Sequence, residues 1–148
     1  MTIKYTMPNA EYHKSEALSA SGAKTIAMKS LAHYKYGEVK HSPAFDLGTC
    51  THTLVFEPHM KNSVWCGPDS RRGKEWTQLK EEAEAEGAIL LTKSDYDQAN
   101  KMAEAVLSNP AAADLLSGDL VVEASMFAHD SIYDVETRAR PDGWRKDI

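Results

Sequence analysis

The sequence predicts an α+β fold: helices first, then an antiparallel sheet that is only beginning near residue 148. Two observations carry this. Between about residues 19 and 116, apolar residues recur at three- and four-residue steps, bounded by residues that start and stop helices. From Leu120 the pattern becomes β-rich, running to Phe127 and continuing as a meander through Ser131–Tyr133 and Thr137–Arg140 around a turn near Asp130. Segregated helices and strands are the mark of this class, and 148 residues suffice for one domain, 1–148, with its own core.

The elements follow in order. Residues 1–17 are polar, contain Pro8 and Asn9, and read as an arm or extended lead-in. Ser19-Ala20-Ser21 precedes a helix whose stripe is Ala23, Ile26, Ala27, Leu31 and Tyr34, with Gly37 as its stop. After a loop with Ser42-Pro43, a second helix runs from about Phe45 to Glu57 and ends at Pro58. Its Gly48 costs about 1 kcal/mol relative to alanine, so close packing against another backbone, and hence a buried helix, is expected. Asn62–Cys66 reads as a short strand and Pro68–Gly73 as a loop. Lys74–Glu86 reads as a charged helix with Trp76, Leu79 and Ala83 on one face. Ala88–Leu91 is a short buried strand. Thr92 then opens a helix with Asp95 as its box-like partner and Tyr96, Ala99, Met102, Ala103 and Val106 as its stripe. Asn109-Pro110 breaks that helix, and Ala111–Leu116 adds a short one before Gly118.

Composition narrows the functional classes. The net charge of −5, from 22 acids and 17 bases, argues against a broadly basic surface; any DNA contact must be focused and salt-sensitive. No apolar stretch approaches the ~20 residues of a membrane span. Met1-Thr2-Ile3-Lys4-Tyr5 does not resemble the start of a secretory signal. Cys50 and Cys66 have neither disulfide nor zinc spacing, so the expectation is free thiols in a cytoplasmic protein. No nucleophile elbow or phosphate-binding glycine loop is present.

Several residues are candidates for chemistry, each with a simpler structural reading. His52 lies on the helix after Gly48, either as a core histidine or as a metal ligand. Glu123 lies inside an apolar-leaning strand, facing either solvent by alternation or a cleft. Asp142 is either the turn residue of Pro-Asp-Gly or a carboxylate delivered to Mg²⁺ at a strand end. Arg71, Arg72 and Lys74 flank Gly73 and suit a phosphate-holding loop, with Trp76 near a base or in the core. Arg138 and Arg140 alternate on one strand face, so both would line the groove of Asp142. His13, His33, His41, His59 and His129 lack metal spacing and read as surface or packing residues.

The ordered set of motifs resembles a known family. It comprises Tyr12-His13, Leu18-Ser19-Ala20-Ser21, the segment from Phe45 to Pro58 containing Leu47-Gly48-Thr49 and His52, then Arg71-Arg72-Gly73-Lys74, Leu91-Thr92-Lys93-Ser94-Asp95-Tyr96, Glu123 and Arg140-Pro141-Asp142. From about Tyr12 to Asp142 the chain resembles the RecE, or exonuclease eight, type of phage recombination exonuclease, of the PD-(D/E)XK nuclease superfamily. The resemblance implies a partial restriction-endonuclease-like fold and a Mg²⁺-dependent 5′→3′ exonuclease acting on double-stranded DNA ends. It implies metal ligation by His52 and Asp142, a catalytic-site acid at Glu123, and DNA near Arg71, Arg72 and Lys74. It further implies a single-strand annealing partner, a ring-like homo-oligomer and a phage or prophage origin within a bacterial cytoplasm.

One departure qualifies this. The family follows its Arg-Pro-Asp strand with a strand bearing Asp-x-Lys, whereas six residues follow Asp142 here, with Lys146 and Asp147 in reversed order. The expectation is weak or absent hydrolysis by these residues alone. The alternatives are a nuclease scaffold that binds DNA or a partner protein without catalysis, for instance a phage-encoded inhibitor, and a structural domain with no nucleic-acid role. The incomplete sheet also predicts an edge near residues 137–142 that another chain or a rearranged tail covers.

Overall fold

A computed structural model describes residues 1–38 and 42–145, so His41, Lys146 and Asp147 lie outside the described residues. In chain order the elements are β1 (Thr2–Lys4), α1 (Asn9–Lys14), β2 (Leu18–Ser19), α2 (Ala20–Met28), α3 (Leu31–Tyr36), α4 (Pro43–Phe56), a 3-10 turn (Pro58–Ser63), β3 (Val64–Cys66), α5 (Lys74–Ala85), β4 (Ile89–Leu91), α6 (Lys93–Leu107), α7 (Pro110–Leu116), β5 (Leu120–Val122), β6 (Ser125–Asp130), β7 (Val135–Ala139) and β8 (Gly143–Arg145). The α+β class holds. The elements form two compact units, Met1–Lys40 with Asp119–Ile148, and His41–Gly118.

The first unit is built on a four-stranded sheet in the order β1-β6-β7-β2. The β6–β7 hairpin is antiparallel, with Met126 opposite Ala139 and Asp130 opposite Val135. Asp130 makes the turn as expected: its Oδ1 accepts the N–H groups of Ile132 (2.9 Å) and Tyr133 (3.1 Å). Ser131–Tyr133 therefore belong to the turn, not to a strand.

The N-terminal segment is not an arm. Thr2–Lys4 pairs antiparallel with β6, and α1 contributes the buried Tyr12, whose ring meets Phe127 at 6.2 Å. On the far side of β7, β2 pairs in parallel, with Leu18 opposite Thr137 and Ser19 opposite Arg138. The edge expected to need another chain or a rearranged tail is thus paired from within, at Thr137 and Arg138. These pairings join residues more than a hundred positions apart, which local periodicity does not encode.

The helix expected across Ala23–Tyr34 is two helices. The Ser19 hydroxyl caps α2 by accepting from Gly22 N (3.1 Å), and the Ser30 hydroxyl caps α3 by accepting from His33 N (3.2 Å). A serine that offers its own acceptor competes with a continuous backbone ladder, and at Ser30 the cap prevails.

In the second unit, Cys50, Val64, Leu91 and Ala99 form the buried core, with Leu47, Leu54, Ile89 and Tyr96 packed around it. Strands β3 and β4 pair in parallel, with Val64 opposite Ile89; α5 makes the crossover that parallel pairing requires. Thr92 caps α6 as expected, accepting from Asp95 N at 3.1 Å. Leu47, Cys50 and Leu54 put one face of α4 on the core. Gly48 is exposed, and a Cβ there would meet nothing within 4 Å, so the expectation of a buried helix closely packed at Gly48 is corrected. The small residue at the tight contact is Cys50, fully buried, its thiol pushed up to about 12 by burial and then by Asp46. Gly67 is the glycine that packing requires: a Cβ would stand 3.1 Å from Leu90 Cδ1 and 3.2 Å from both Leu91 O and Trp76 Cζ3.

Among the described residues, Leu91 is the largest fully buried side chain. Leu91→Ala is expected to cost about 2–5 kcal/mol in urea unfolding. A loss under about 1 kcal/mol would place the core elsewhere.

Candidate functional site

The expected β-run from Leu120 to Phe127 is interrupted at Glu123, and that break creates the site. Glu123 takes φ +57°, a left-handed conformation that costs a residue with a Cβ about 1–2 kcal/mol. Before it, β5 pairs antiparallel with β8, Val122 lying opposite Gly143. The Glu123 N–H then donates to Asp142 O at 3.3 Å, one step beyond that ladder. Pro141 has no N–H to extend strand pairing, and the chain turns there toward Asp142. The carboxylate oxygens of Glu123 and Asp142 thereby come within 4.8 Å of one another, Glu123 half-buried and Asp142 exposed.

Arg140 holds this break in place. Its Nε donates to the Glu123 carbonyl at 3.0 Å and lies 3.0 Å from Glu123 Oε2. Nη1 donates to Asn9 Oδ1 at 3.0 Å, and Nη2 donates to the Met7 carbonyl. The guanidinium lies 5.0 Å from the Tyr12 ring centre, and the side chain is only 9% exposed. Arg138 approaches the same ring at 4.7 Å and donates through Nη1 to the Tyr12 carbonyl. The two arginines do share a face, as their alternation predicts. Both are engaged within the fold through these contacts.

His52, Arg71, Arg72 and Lys74 belong to the second unit. His52 is half-buried on α4, its ring stacked on Phe56 with centroids 4.9 Å apart. Arg71 donates to Asp95 Oδ2 at 2.8 Å and lies 5.7 Å from the Trp76 ring centre, so it straps its loop to α6. Arg72 and Lys74 are exposed on either side of Gly73, whose φ of +105° suits glycine. Trp76 packs against Gly67 and walls an open cleft of about 400 Å³ with Arg71, Lys80, Asp46 and Leu90. His13, His33, His59 and His129 are exposed.

Met7, Asn9 and Tyr12 escaped the sequence reading as parts of this site. The only signal was the Tyr12-His13 element of the family pattern, which does not specify a contact with Arg140.

Comparison with protein-family models, curated proteins and solved structures finds no match to this chain. The class established by the coordinates is therefore an α+β protein with a close carboxylate pair in its first unit. Among the described residues, no helix is long and apolar enough to cross a membrane.

The Asp95 carboxyl is held below its ordinary value of 3.8, first by the Thr92 hydroxyl and then by Arg71. A depressed folded-state pKa stabilises the fold above the unfolded value and loses that effect as pH falls through the folded one. The stability gap between the native chain and Asp95→Asn should therefore be fully open above pH 3.8 and close below it. A gap that stays flat in urea titrations from about pH 6 to about pH 2 would contradict the pairing.

Proposed function

We propose that this chain is a nuclease-type domain, a partial PD-(D/E)XK fold, that binds Mg²⁺ through Glu123 and Asp142 and acts on double-stranded DNA ends. The observation that supports it most is the carboxylate pair, with ligand oxygens within 4.8 Å at the strand break. Hard oxygen donors on two short supports fit a small divalent cation that keeps several of its waters. In this reading His52 is a further ligand, assigned by the order of family motifs. A bound cation would lower the pKa of a coordinated water and offset charge developing on the phosphodiester.

The protein residues bind and orient. Glu123 and Asp142 hold the cation, while exposed Arg72 and Lys74 take the phosphate-contacting role. With a net charge of −5, that contact must be local and steeply salt-dependent. The 5′→3′ polarity, an annealing-protein partner and a ring-like homo-oligomer belong to the same proposal. So does a cytoplasmic setting in a phage-bearing bacterium.

A second reading has its own support. Arg71, Arg138 and Arg140 spend their guanidinium groups inside the fold. That leaves a smaller cationic surface than the sequence implied, and suits a scaffold that binds DNA or a protein partner without cutting.

Calorimetric titration with Mn²⁺ should find one site, weakened at least about tenfold by Asp142→Asn or Glu123→Gln, the loss that even an outer-shell partner produces. Mg²⁺-dependent shortening of linear duplex from its 5′ ends, abolished by Asp142→Asn, would support the exonuclease. Salt-sensitive duplex binding without shortening would support the second reading. A chain that binds neither cation nor duplex would sink the nuclease assignment.

A further inference from the structure

We propose that Arg140 is a positioning residue for Glu123, and that the segment Met7–Tyr12 makes it one. The proposal rests on the metal-binding reading given above and assigns the site a component drawn from the far end of the chain.

The geometry is specific. Arg140 Nε reaches both the main-chain carbonyl of Glu123 and its Oε2, each at 3.0 Å. One donor thus pins the backbone and the carboxylate of the residue that sits at φ +57°. A left-handed glutamate carries backbone strain, and the Arg140 contacts to its carbonyl and carboxylate oppose that strain. The guanidinium is itself fixed from the opposite side. Nη1 is held by Asn9 Oδ1 at 3.0 Å, Nη2 by the Met7 carbonyl, and the group lies over the Tyr12 ring.

A planar fork with donors in fixed directions meets these acceptors together; a lysine ammonium, a point charge on a flexible stem, does not. The ion pair with Arg140 does not exhaust the Glu123 carboxylate, because an ionised carboxylate has two oxygens and several lone pairs. The side chain of Arg140 is 9% exposed, which fits orientation of a neighbouring ligand and does not fit contact with a DNA phosphate. Glu123 N–H donates to Asp142 O, so holding the Glu123 backbone also restrains the backbone that carries Asp142.

The test is Mn²⁺ affinity of the full chain and of Arg140→Gln, Arg140→Lys, Asn9→Ala and Asp142→Asn, with circular dichroism and thermal melts on each. Arg140→Gln and Arg140→Lys are expected to lose about tenfold to a hundredfold in affinity while melting cooperatively, and Asn9→Ala to lose a few-fold. A stabilising osmolyte separates positioning from general stability. It strengthens burial throughout the fold and would restore affinity if Arg140 only supported the fold; the proposal predicts no restoration. If Arg140→Gln does not fold, Asn9→Ala decides: weakened Mn²⁺ binding in a native-like fold supports the anchor, and unchanged binding overturns it. A native chain that binds Mn²⁺ through Asp142, with full affinity in the Arg140 and Asn9 variants, overturns the positioning role alone. A native chain with no Mn²⁺ site overturns the metal reading and this proposal with it.

Discussion

The contact between the Arg140 guanidinium and Glu123 organises the first unit. Without it, the β-run that begins at Leu120 has no evident reason to break at Glu123. At that contact the backbone is in the left-handed region, β5 gives way to β6, and the Glu123 N–H bonds to Asp142 O. The acceptors on the other side of Arg140 come from Met7, Asn9 and the face of Tyr12, so the first dozen residues are structural walls. A nearly buried guanidinium is tolerable only when its donors find acceptors, and here a carboxylate, an amide and backbone carbonyls supply them.

The same economy of charge operates in the second unit. Arg71 is strapped to Asp95, which the Thr92 hydroxyl also holds, so a loop arginine and the first turn of α6 share one carboxylate. Arg71 faces Trp76, and that ring in turn packs on Gly67 beside Leu90. Cationic residues that look in the sequence like phosphate contacts are therefore partly joints of the fold. What remains exposed around Gly73 is Arg72 and Lys74.

The legible parts of the structure were governed by neighbours in sequence. Thr92 and Asp95 announced the start of α6 because a cap and its partner are three residues apart. Pro58 ended α4 because proline lacks the N–H a helix needs, and Asp130 marked the hairpin turn because its side chain bonds the next backbone amides. The illegible parts depended on distant partners. Thr2–Lys4 and Leu18–Ser19 carry too few residues to show an alternating pattern, and become strands only by pairing with β6 and β7. Gly48 suggested close backbone approach, yet Cys50, two residues on, makes the buried contact. Asp142 lies between the end of β7 at Ala139 and the start of β8 at Gly143, a position that the turn reading and the strand-end reading of Arg140-Pro141-Asp142 share. Alternation placed Arg138 and Arg140 on a shared face, but it could not show that both would meet the Tyr12 ring there.

Anomalous diffraction from Mn²⁺-soaked crystals of the full chain tests the central claim most directly. The account predicts a manganese peak within direct ligand distance, about 2.0–2.6 Å, of carboxylate oxygens of both Glu123 and Asp142, with the Arg140 contact to Glu123 retained. A peak ligated by neither carboxylate, or no peak with both side chains ordered, would contradict it.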